Sequence, residues 1–181
     1  MASRRLLVCF LVEPPPQICT VYVKKKNETL TTSAQKMKVC SIGNPESTYR
    51  NTRHSAGHSV IELIRKSLHF SPFAVDRQYG GLVSRGIYTD KYTLFQSPSL
   101  MNISGKPIKS AWRAFLRELG QEEQDRALLV VLHDELEKPL GQVKLKETGS
   151  PAGHNGLISV IDHLKTKVCV PYKLQVRPFY D

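Results

Sequence analysis

One histidine, one aspartate and three asparagines are the residues of this sequence that could together carry out chemistry. They are His54, Asp134, Asn44, Asn102 and Asn155. An imidazole can take a proton from water, and a carboxylate can orient that imidazole. Side-chain amides can hold the water and the oxyanion that develops during the reaction. These residue types predict a hydrolase that activates water.

Each of these residues also has a simple structural interpretation. Asn44 precedes Pro45, so its role could be limited to a turn. His54 could simply begin a helix. Asn102 and Asn155 stand where helices are expected to start, and capping is the commoner role of Asn at such positions.

Other chemistries find less support in the sequence. No GxSxG motif marks a nucleophilic serine, and no glycine-rich phosphate loop follows a strand, which weakens a nucleotide-binding interpretation. His133, Asp134 and Glu135 could bind a metal, but adjacent residues on one strand point to opposite faces. The four cysteines form no CxxC pair, which indicates a reducing compartment and no structural zinc.

Two strand ends are expected to position the candidate residues. Residues 127–132 form a wholly apolar run, typical of a strand buried on both faces, and His133 and Asp134 come directly after it. Residues 37–42 predict a first strand that ends at Gly43-Asn44-Pro45. If these strands are parallel neighbours, Asn44 and Asp134 face one crevice beyond their carboxyl ends.

The rest of the chain predicts further strands and helices. We expect helices over about residues 54–69 and 105–119 and another around residues 157–164, and strands over residues 79–88, 91–95, 142–146 and 172–176. The first helix should bury Val60, Ile61, Ile64 and Leu68, and the second Ile108, Trp112, Phe115, Leu116 and Leu119. The alternation predicts an α/β fold: one domain with a mixed, mostly parallel, twisted sheet flanked by helices.

The charge of the chain points to an anionic partner. The 181 residues carry a formal net charge of +10, with a pI of about 9.6, which suits a protein that binds nucleic acid. Residues 1–35 are interpreted as a leader or disordered tail without regular structure, because prolines interrupt them. Their excess of basic residues fits a mitochondrial transit segment; a cytoplasmic tail and a short secretory signal are the alternatives. No apolar run is long enough to span a bilayer.

Four groups of residues in this sequence form short motifs. They are Gly43-Asn44-Pro45 with Tyr49 and Thr52-Arg53-His54; Met101-Asn102 with Ser104-Gly105; His133-Asp134-Glu135-Leu136 with Pro139 and Gly141; and Gly153-His154-Asn155-Gly156. Together they resemble the motifs of peptidyl-tRNA hydrolase of the bacterial type, a family that also occurs in eukaryotes. They follow the family's order and spacing over about residues 38–165. Residues 36–181 are therefore expected to form a peptidyl-tRNA hydrolase-like domain.

The resemblance implies hydrolysis of the ester that joins a peptide to the 3′ ribose of tRNA. By motif position His54 is the general base, Asp134 its partner, and Asn44 helps to distinguish peptidyl from free aminoacyl ends. Residues implied to bind the substrate end, the water or tRNA phosphates are Tyr49, Leu100, Asn102, Asn155, Lys144 and Lys146. We expect a monomer that binds peptidyl-tRNA and needs no metal, cofactor or membrane.

The departures from the family pattern bear on two further expectations. Ser55, Leu100 and the segment Lys138-Pro139-Leu140-Gly141 are similar to animal members. The family continues beyond its last helix with an Arg-rich strand, a lid and a terminal helix, whereas here Arg177-Pro178 follows the strand and the chain stops at Asp181. We expect a C-terminally truncated form, which is either an active esterase or a catalytically weak tRNA-binding homologue.

Overall fold

The strands and helices of the protein account for most of the residues that can be described. The computed structural model describes residues 6–12, 17–23, 36–49, 52–135, 143–146, 151–165 and 172–176. The strands are β1 (Leu6–Val12), β2 (Gln17–Val23), β3 (Met37–Ser41), β4 (Ala74–Asp76), β5 (Gly81–Arg85), β6 (Tyr92–Gln96), β7 (Leu128–Asp134), β8 (Val143–Lys146) and β9 (Tyr172–Val176). The helices are α1 (Glu46–Tyr49), α2 (Ala56–Ser67), α3 (Gly105–Arg117), α4 (Gln121–Arg126) and α5 (Asn155–Leu164), with 3₁₀ turns at Arg53–Ser55 and Met101–Ile103.

Seven of these strands form one mixed sheet in the order β4–β5–β6–β3–β7–β9–β8. The ladders β6–β3, β3–β7 and β7–β9 are parallel, and the outer ladders β4–β5, β5–β6 and β9–β8 are antiparallel. The predicted α/β domain with a mixed sheet flanked by helices is confirmed. The parallel ladders lie at the centre of the sheet, and antiparallel ladders form its two sides.

The central pair β3 and β7 brings two loops to one edge. Met37 pairs with Leu128 and Ser41 with Leu132, so the two strands run side by side in register. The predicted parallel neighbourhood of these strands is therefore correct. Since the carboxyl ends of both strands reach the same edge, the chain after β3 and the last residues of β7 share one crevice.

Helices cover both faces of the sheet with separate cores. On one face α2 packs Ile61 and Ile64 against Met37, Val39 and Leu132. On the other face α3 and α5 pack against alternate residues of the same strands; that core includes Cys40, Val131, Ile108, Phe115, Leu157 and Val160. The alternation follows from the two-residue period of a strand. None of the helices in the described ranges has the length and apolar character to cross a membrane.

Several predicted boundaries differ from the observed ones. β7 continues through His133 to Asp134, so Asp134 belongs to the strand rather than to the loop after it. The helix predicted from His54 begins as a 3₁₀ turn, with α2 starting at Ala56. Leu68, expected inside, is 40% exposed because α2 ends at Ser67 and Leu68 caps it.

The N-terminal region contains strands that the sequence analysis did not expect. β1 and β2 pair antiparallel in a separate two-stranded sheet, with Leu6 opposite Val23 and Val12 opposite Gln17. The three prolines of this region fall between the two strands in sequence, at positions 14–16, so they remove no ladder hydrogen bond from either strand. The prediction that residues 1–35 lack regular structure is therefore wrong, and their role as a leader stays a prediction.

A lysine lies in the core that the described residues form. The side chain of Lys38 on β3 is fully buried, and its Nζ lies 3.8 Å from the ring centre of Tyr79. Phe95 and Phe115 also face this amine. Burial lowers the pKa of Lys38 to about 7, because the aromatic surroundings disfavour the charged form.

Candidate active site

A cleft of about 490 Å³ lies at the sheet edge where β3 and β7 end. The residues that line it come from five separate stretches of the chain. They are Asn44, His54, Leu100, Met101, Asn102, Asp134, Glu135, Ala152, Gly153, His154 and Asn155. The predicted crevice beyond the carboxyl ends of two parallel strands is thus present, and it contains the predicted His, Asp and three Asn residues.

His54 and Asp134 are joined by a hydrogen bond at the base of the cleft. The His54 Nδ1–H donates to Asp134 Oδ2 at 2.9 Å, across 80 residues of sequence. With its proton on Nδ1, the His54 ring has an unprotonated Nε2. The His54 side chain is 52% exposed, whereas the Asp134 side chain is 3% exposed. This arrangement gives an accessible imidazole that can accept a proton, backed by a buried carboxylate.

His154 makes the second hydrogen bond to Asp134. Its Nε2–H donates to Asp134 Oδ1 at 3.0 Å. Its Nδ1 accepts a hydrogen bond from the backbone N–H of Leu157 at 3.2 Å, as the cap of α5. Because a backbone N–H can only donate, the neutral His154 ring must carry its proton on Nε2. Asp134 is therefore held by an imidazole on each carboxylate oxygen.

Asp134 is ionised in spite of its burial. Burial alone would raise the pKa of Asp134, but the hydrogen bond and charge interaction with His154, together with the charge interaction with His54, outweigh it. The net result is a pKa below the usual value for an aspartate. The buried carboxylate can thus steady a positive charge on His54 during a reaction.

Asn44 is oriented by the backbone of the neighbouring loop. Its Oδ1 accepts a hydrogen bond from the Met101 N–H at 3.0 Å, and its own backbone N–H donates to the His54 carbonyl at 2.9 Å. Since Oδ1 is used by Met101, the amide nitrogen is the atom of Asn44 that can donate to a ligand.

Two glycines permit the close packing that places His54. A Cβ on Gly43 would lie 2.7 Å from the His54 carbonyl oxygen. A Cβ on Gly57, in the first turn of α2, would lie 2.6 Å from the Ile42 oxygen and 2.7 Å from the Leu132 oxygen. Only glycine lets the start of α2 approach both strand ends so closely.

The other predicted residues are distributed between the cleft and more distant positions. Leu100, Asn102 and Asn155 line the cleft and are exposed. Tyr49 ends α1, is 40% exposed and is absent from the cleft lining. Lys144 and Lys146 lie two residues apart on the edge strand β8, opposite Gln175 and Lys173 of β9. The substrate-binding roles of all six residues stay predictions.

Sequence reasoning missed the parts played by His133 and His154. His133 is buried; its Nδ1–H donates to the Asp134 carbonyl at 2.6 Å, and its ring meets His154 edge-on with centres 4.9 Å apart. Burial, and next the nearby His154, lower the pKa of His133 to about 4, so it stays neutral at ordinary pH. The available signal was the position of His154 inside the motif Gly153-His154-Asn155-Gly156.

Among the polar side chains of the cleft, Asp134 binds both His54 and His154. Within the described ranges, no group of three or more His, Cys, Asp or Glu is placed to hold a metal ion. The reactive groups offered by this cleft are an imidazole base, a buried carboxylate and amide donors.

Comparison with known proteins decides the family. The family model for peptidyl-tRNA hydrolase matches residues 38–174, which is well over half of the chain. The chain belongs to the peptidyl-tRNA hydrolase family. The match spans both strand ends that carry the cleft and the complete α5 segment.

Curated relatives and solved structures agree with this assignment. A peptidyl-tRNA hydrolase of Gemmatimonas aurantiaca is 36% identical over 143 residues, covering 77% of this chain and 70% of the relative. One from Limosilactobacillus fermentum is 35% identical over 131 residues, covering 71% of this chain and 66% of the relative. The chain therefore spans about two thirds of the length of such relatives.

The fold has a counterpart among crystal structures. Peptidyl-tRNA hydrolase from Acinetobacter baumannii superimposes with a TM-score of 0.63 at 24% identity, covering 83% of this chain and 72% of that one. At this identity the similarity establishes the shared fold.

Proposed function

We propose that this protein hydrolyses the ester bond between a peptide and the 3′ ribose of tRNA, which releases free tRNA for reuse in translation. The observation that carries the proposal is the pair of hydrogen bonds that His54 and His154 make to the buried Asp134, inside a cleft lined by three asparagines. Membership of the peptidyl-tRNA hydrolase family supports the same reaction.

In the proposed mechanism His54 activates water. Its Nε2 takes a proton from a water molecule, whose oxygen attacks the ester carbonyl carbon and forms a tetrahedral oxyanion. The bond to the ribose 3′ oxygen then breaks, and the proton passes from His54 to that oxygen. The products are a peptide carboxylic acid and a tRNA with a free 3′ hydroxyl, so atoms and charge balance.

Asp134 is a positioning residue for the base. It fixes the Nδ1–H form of His54 and stabilises the imidazolium that exists between the two proton transfers. His154 occupies the other carboxylate oxygen, which restricts rotation of the carboxylate around its bond. The low pKa of Asp134 keeps this carboxylate charged throughout.

The amide groups of the cleft are proposed to bind the substrate end. The amide nitrogen of Asn44 is aimed by its bond with Met101 and is proposed to distinguish peptidyl from free aminoacyl groups. Asn102 and Asn155 are proposed to hold the attacking water or the oxyanion. Leu100 offers an exposed apolar surface at the same cleft, and Tyr49 a second one further out.

Binding of the tRNA portion is supported by the charge of the chain. The formal net charge of +10 attracts a polyanion. Lys144 and Lys146 on β8 are proposed to contact tRNA phosphates. We also propose that the enzyme works as a monomer, and sedimentation velocity at micromolar concentration would test that expectation.

The compartment is a separate proposal. Lys and Arg outnumber Asp and Glu in residues 1–35, which supports import into mitochondria, with the cytoplasm as the alternative. Imaging of the tagged chain beside a variant with Arg4 and Arg5 replaced by Gln tests the import signal. A further proposal, that animal members are the nearest relatives, rests on Ser55, Leu100 and the segment Lys138-Pro139-Leu140-Gly141.

The reaction is tested by turnover in ¹⁸O-labelled water. The purified chain receives either a peptidyl-tRNA or the same tRNA carrying a free amino acid. We expect cleavage of the peptidyl ester in preference to the aminoacyl ester, with ¹⁸O in the peptide carboxylate and none in the 3′ hydroxyl. tRNA binding without cleavage would instead support the alternative of a catalytically weak tRNA-binding homologue.

A further inference from the structure

Four basic residues form a continuous stripe on the outer side of α3. Lys106, Lys109, Arg113 and Arg117, together called the α3 stripe, follow each other at helical spacings of three, four and four residues. At about 100° per residue these positions fall within an arc of about 80°. The arc lies opposite the buried side of α3, and Lys106, Arg113 and Arg117 are exposed.

None of the four residues of the α3 stripe has a carboxylate partner among the described residues. Several cations elsewhere are paired: Arg65 binds Glu62, Arg85 binds Glu118, and Lys36 binds Asp90. Within the stripe, Arg117 Nε donates a hydrogen bond to the Arg113 backbone carbonyl. No carboxylate among the described residues balances the positive charge of either arginine.

The placement of these charges works against the helix itself. The segment Gly105–Arg117 contains no acidic residue, so like charges face each other at each step of the stripe. Lys106 and Lys109 also stand in the first turns of α3, where the helix dipole favours negative charge. Arg117 stands in the last turn, where a cation suits the helix dipole. Since Lys106, Lys109 and Arg113 support neither the helix dipole nor an ion pair among the described residues, their charges are available to an anionic ligand.

The stripe begins beside the cleft. Leu100, Met101 and Asn102 line the cleft. The 3₁₀ turn Met101–Ile103 contains two of these residues and leads into α3, which starts at Gly105. The helix then carries the basic residues away from the cleft over about 17 Å, from the 1.5 Å rise per residue. A polyanion whose end lies in the cleft can therefore continue along the stripe.

We propose that the α3 stripe binds the sugar–phosphate backbone of the tRNA acceptor stem, an inference that rests on the proposed function because the tRNA 3′ end must then occupy the cleft. Successive stripe residues are about 4.5–6 Å apart along the helix axis, so several phosphates of one strand can be contacted at once. Such contacts position a nucleic acid without reading its sequence, which suits an enzyme whose tRNA substrates differ in sequence.

The test compares two variants that each lose three positive charges. Lys106→Gln/Lys109→Gln/Arg113→Gln removes most of the stripe. The matched control, Lys66→Gln/Arg77→Gln/Lys91→Gln, removes three charges from the far end of α2, the β4–β5 turn and the position just before β6. Lys66 and Arg77 are exposed, and Lys91 is half-buried. Melting curves establish that both variants fold. Binding of deacylated tRNA is then measured as salt rises from about 50 to about 200 mM.

Each lost phosphate contact should flatten the slope of log K against log salt by about 0.9 on a duplex. If the variant loses three phosphate contacts, raising the salt from about 50 to about 200 mM should weaken tRNA binding by the parental protein about 40-fold more than tRNA binding by the stripe variant. The control variant should keep the parental slope. An unchanged slope in the stripe variant, or an equal loss in both variants, would overturn the proposal. So would a stripe variant that loses binding to anionic lipid vesicles but not to tRNA.

A second arm separates this proposal from the proposed reaction. A peptide esterified to a trinucleotide has the 3′ end but no stem, so the parental protein and the stripe variant should cleave it at equal rates. On full peptidyl-tRNA the stripe variant should show a raised KM with unchanged kcat. If neither protein cleaves the short ester, the reaction fails, while the tRNA salt slopes still decide the role of the stripe.

Discussion

Asp134 is the residue on which the arrangement of the cleft depends. Both of its oxygens accept hydrogen bonds from imidazole N–H groups, one from His54 and one from His154. An aspartate can accept both bonds because it has two equivalent oxygens and a negative charge. An asparagine has only one oxygen, so it must turn a donor toward one of the two rings.

The first prediction follows for Asp134→Asn. The asparagine amide group faces an imidazole N–H, which breaks one hydrogen bond or forces the ring into its other proton form. Loss of the oriented base should lower kcat by about 10²–10⁴-fold. The change is nearly isosteric, so melting curves should show a folded domain.

The control for this variant is Asp162→Asn, on the exposed side of α5. It makes the same chemical change away from the cleft and should keep parental kcat and stability. A variant at Asp134 that unfolds at the assay temperature would indicate a mainly structural role for that carboxylate. Parental kcat in Asp134→Asn would exclude the positioning role.

At the level of single residues, sequence reasoning found the acid–base pair but not its support. His54 and Asp134 could be paired because His54 opens a predicted helix, Asp134 follows a predicted strand, and both were expected at one sheet edge. The hydrogen bond between His154 and Asp134 could not be predicted, because the orientation of the His154 ring depends on the cap that it forms with the Leu157 N–H. Lys38 was equally hidden, since nothing in a strand pattern tells a buried lysine from an exposed one.

At the level of elements, the contact between α2 and the two strand ends sets the position of His54. The 3₁₀ turn that carries His54 leads directly into α2. Gly57 in its first turn lies so close to the strand ends that an added Cβ would come 2.6 Å from the Ile42 oxygen and 2.7 Å from the Leu132 oxygen. Any side chain at Gly57 must push the helix away from the sheet edge and from Asp134.

The second prediction concerns Gly57→Ala. The added methyl group meets backbone oxygens at 2.6 and 2.7 Å, which cannot move like a flexible side chain. We expect a loss of stability of about 1–3 kcal/mol, together with a lower kcat because the bond between His54 and Asp134 lengthens. Denaturant titration and steady-state kinetics measure the two effects.

Gly120→Ala is the matched control, because the nearest atom to its added Cβ is Glu123 Oε2 at 4.0 Å. It should be close to parental in both measurements. A Gly57→Ala protein with parental stability and kcat would show that the close approach of α2 to the strand ends is not required.

The elements that sequence reasoning found have strong apolar patterns. β3, β7, α2 and α3 were predicted because each buries a regular set of apolar side chains. α4 was missed because its sequence, QEEQDR, has no buried residue and therefore no pattern. β4 was missed because it is a three-residue edge strand with two exposed residues.

At the level of the whole molecule, Lys38 makes stability depend on pH. The pKa of Lys38 is about 7 in the folded protein and 10.5 in the absence of structure. At pH values between these two pKa values the Lys38 amine is protonated in the unfolded chain and mostly neutral in the folded protein. The free energy of unfolding therefore rises with pH across this window. Below about pH 7 both states are protonated, and the full cost of the buried charge remains.

The third prediction is that Lys38→Met stabilises the protein, most strongly at or below about pH 7, by up to about 5 kcal/mol. Methionine is an unbranched side chain one atom shorter than lysine, and it removes the charge from the contact with Tyr79. Denaturant titrations from about pH 6 to about pH 9 measure the effect. The parental protein should gain stability relative to Lys38→Met as pH rises. Parallel pH profiles, or destabilisation by methionine at every pH, would contradict the assigned environment of Lys38.

The most direct measurement of the central claim is single-turnover cleavage of peptidyl-tRNA by the parental protein and by His54→Ala. The parental protein should release free tRNA and free peptide. His54→Ala should be about 10²–10⁴-fold slower while binding tRNA with unchanged affinity, because the base is lost and the phosphate contacts lie elsewhere. Cleavage by His54→Ala within about threefold of the parental rate, well short of a general-base effect, would contradict the account. So would a folded parental protein that binds tRNA and leaves the ester intact.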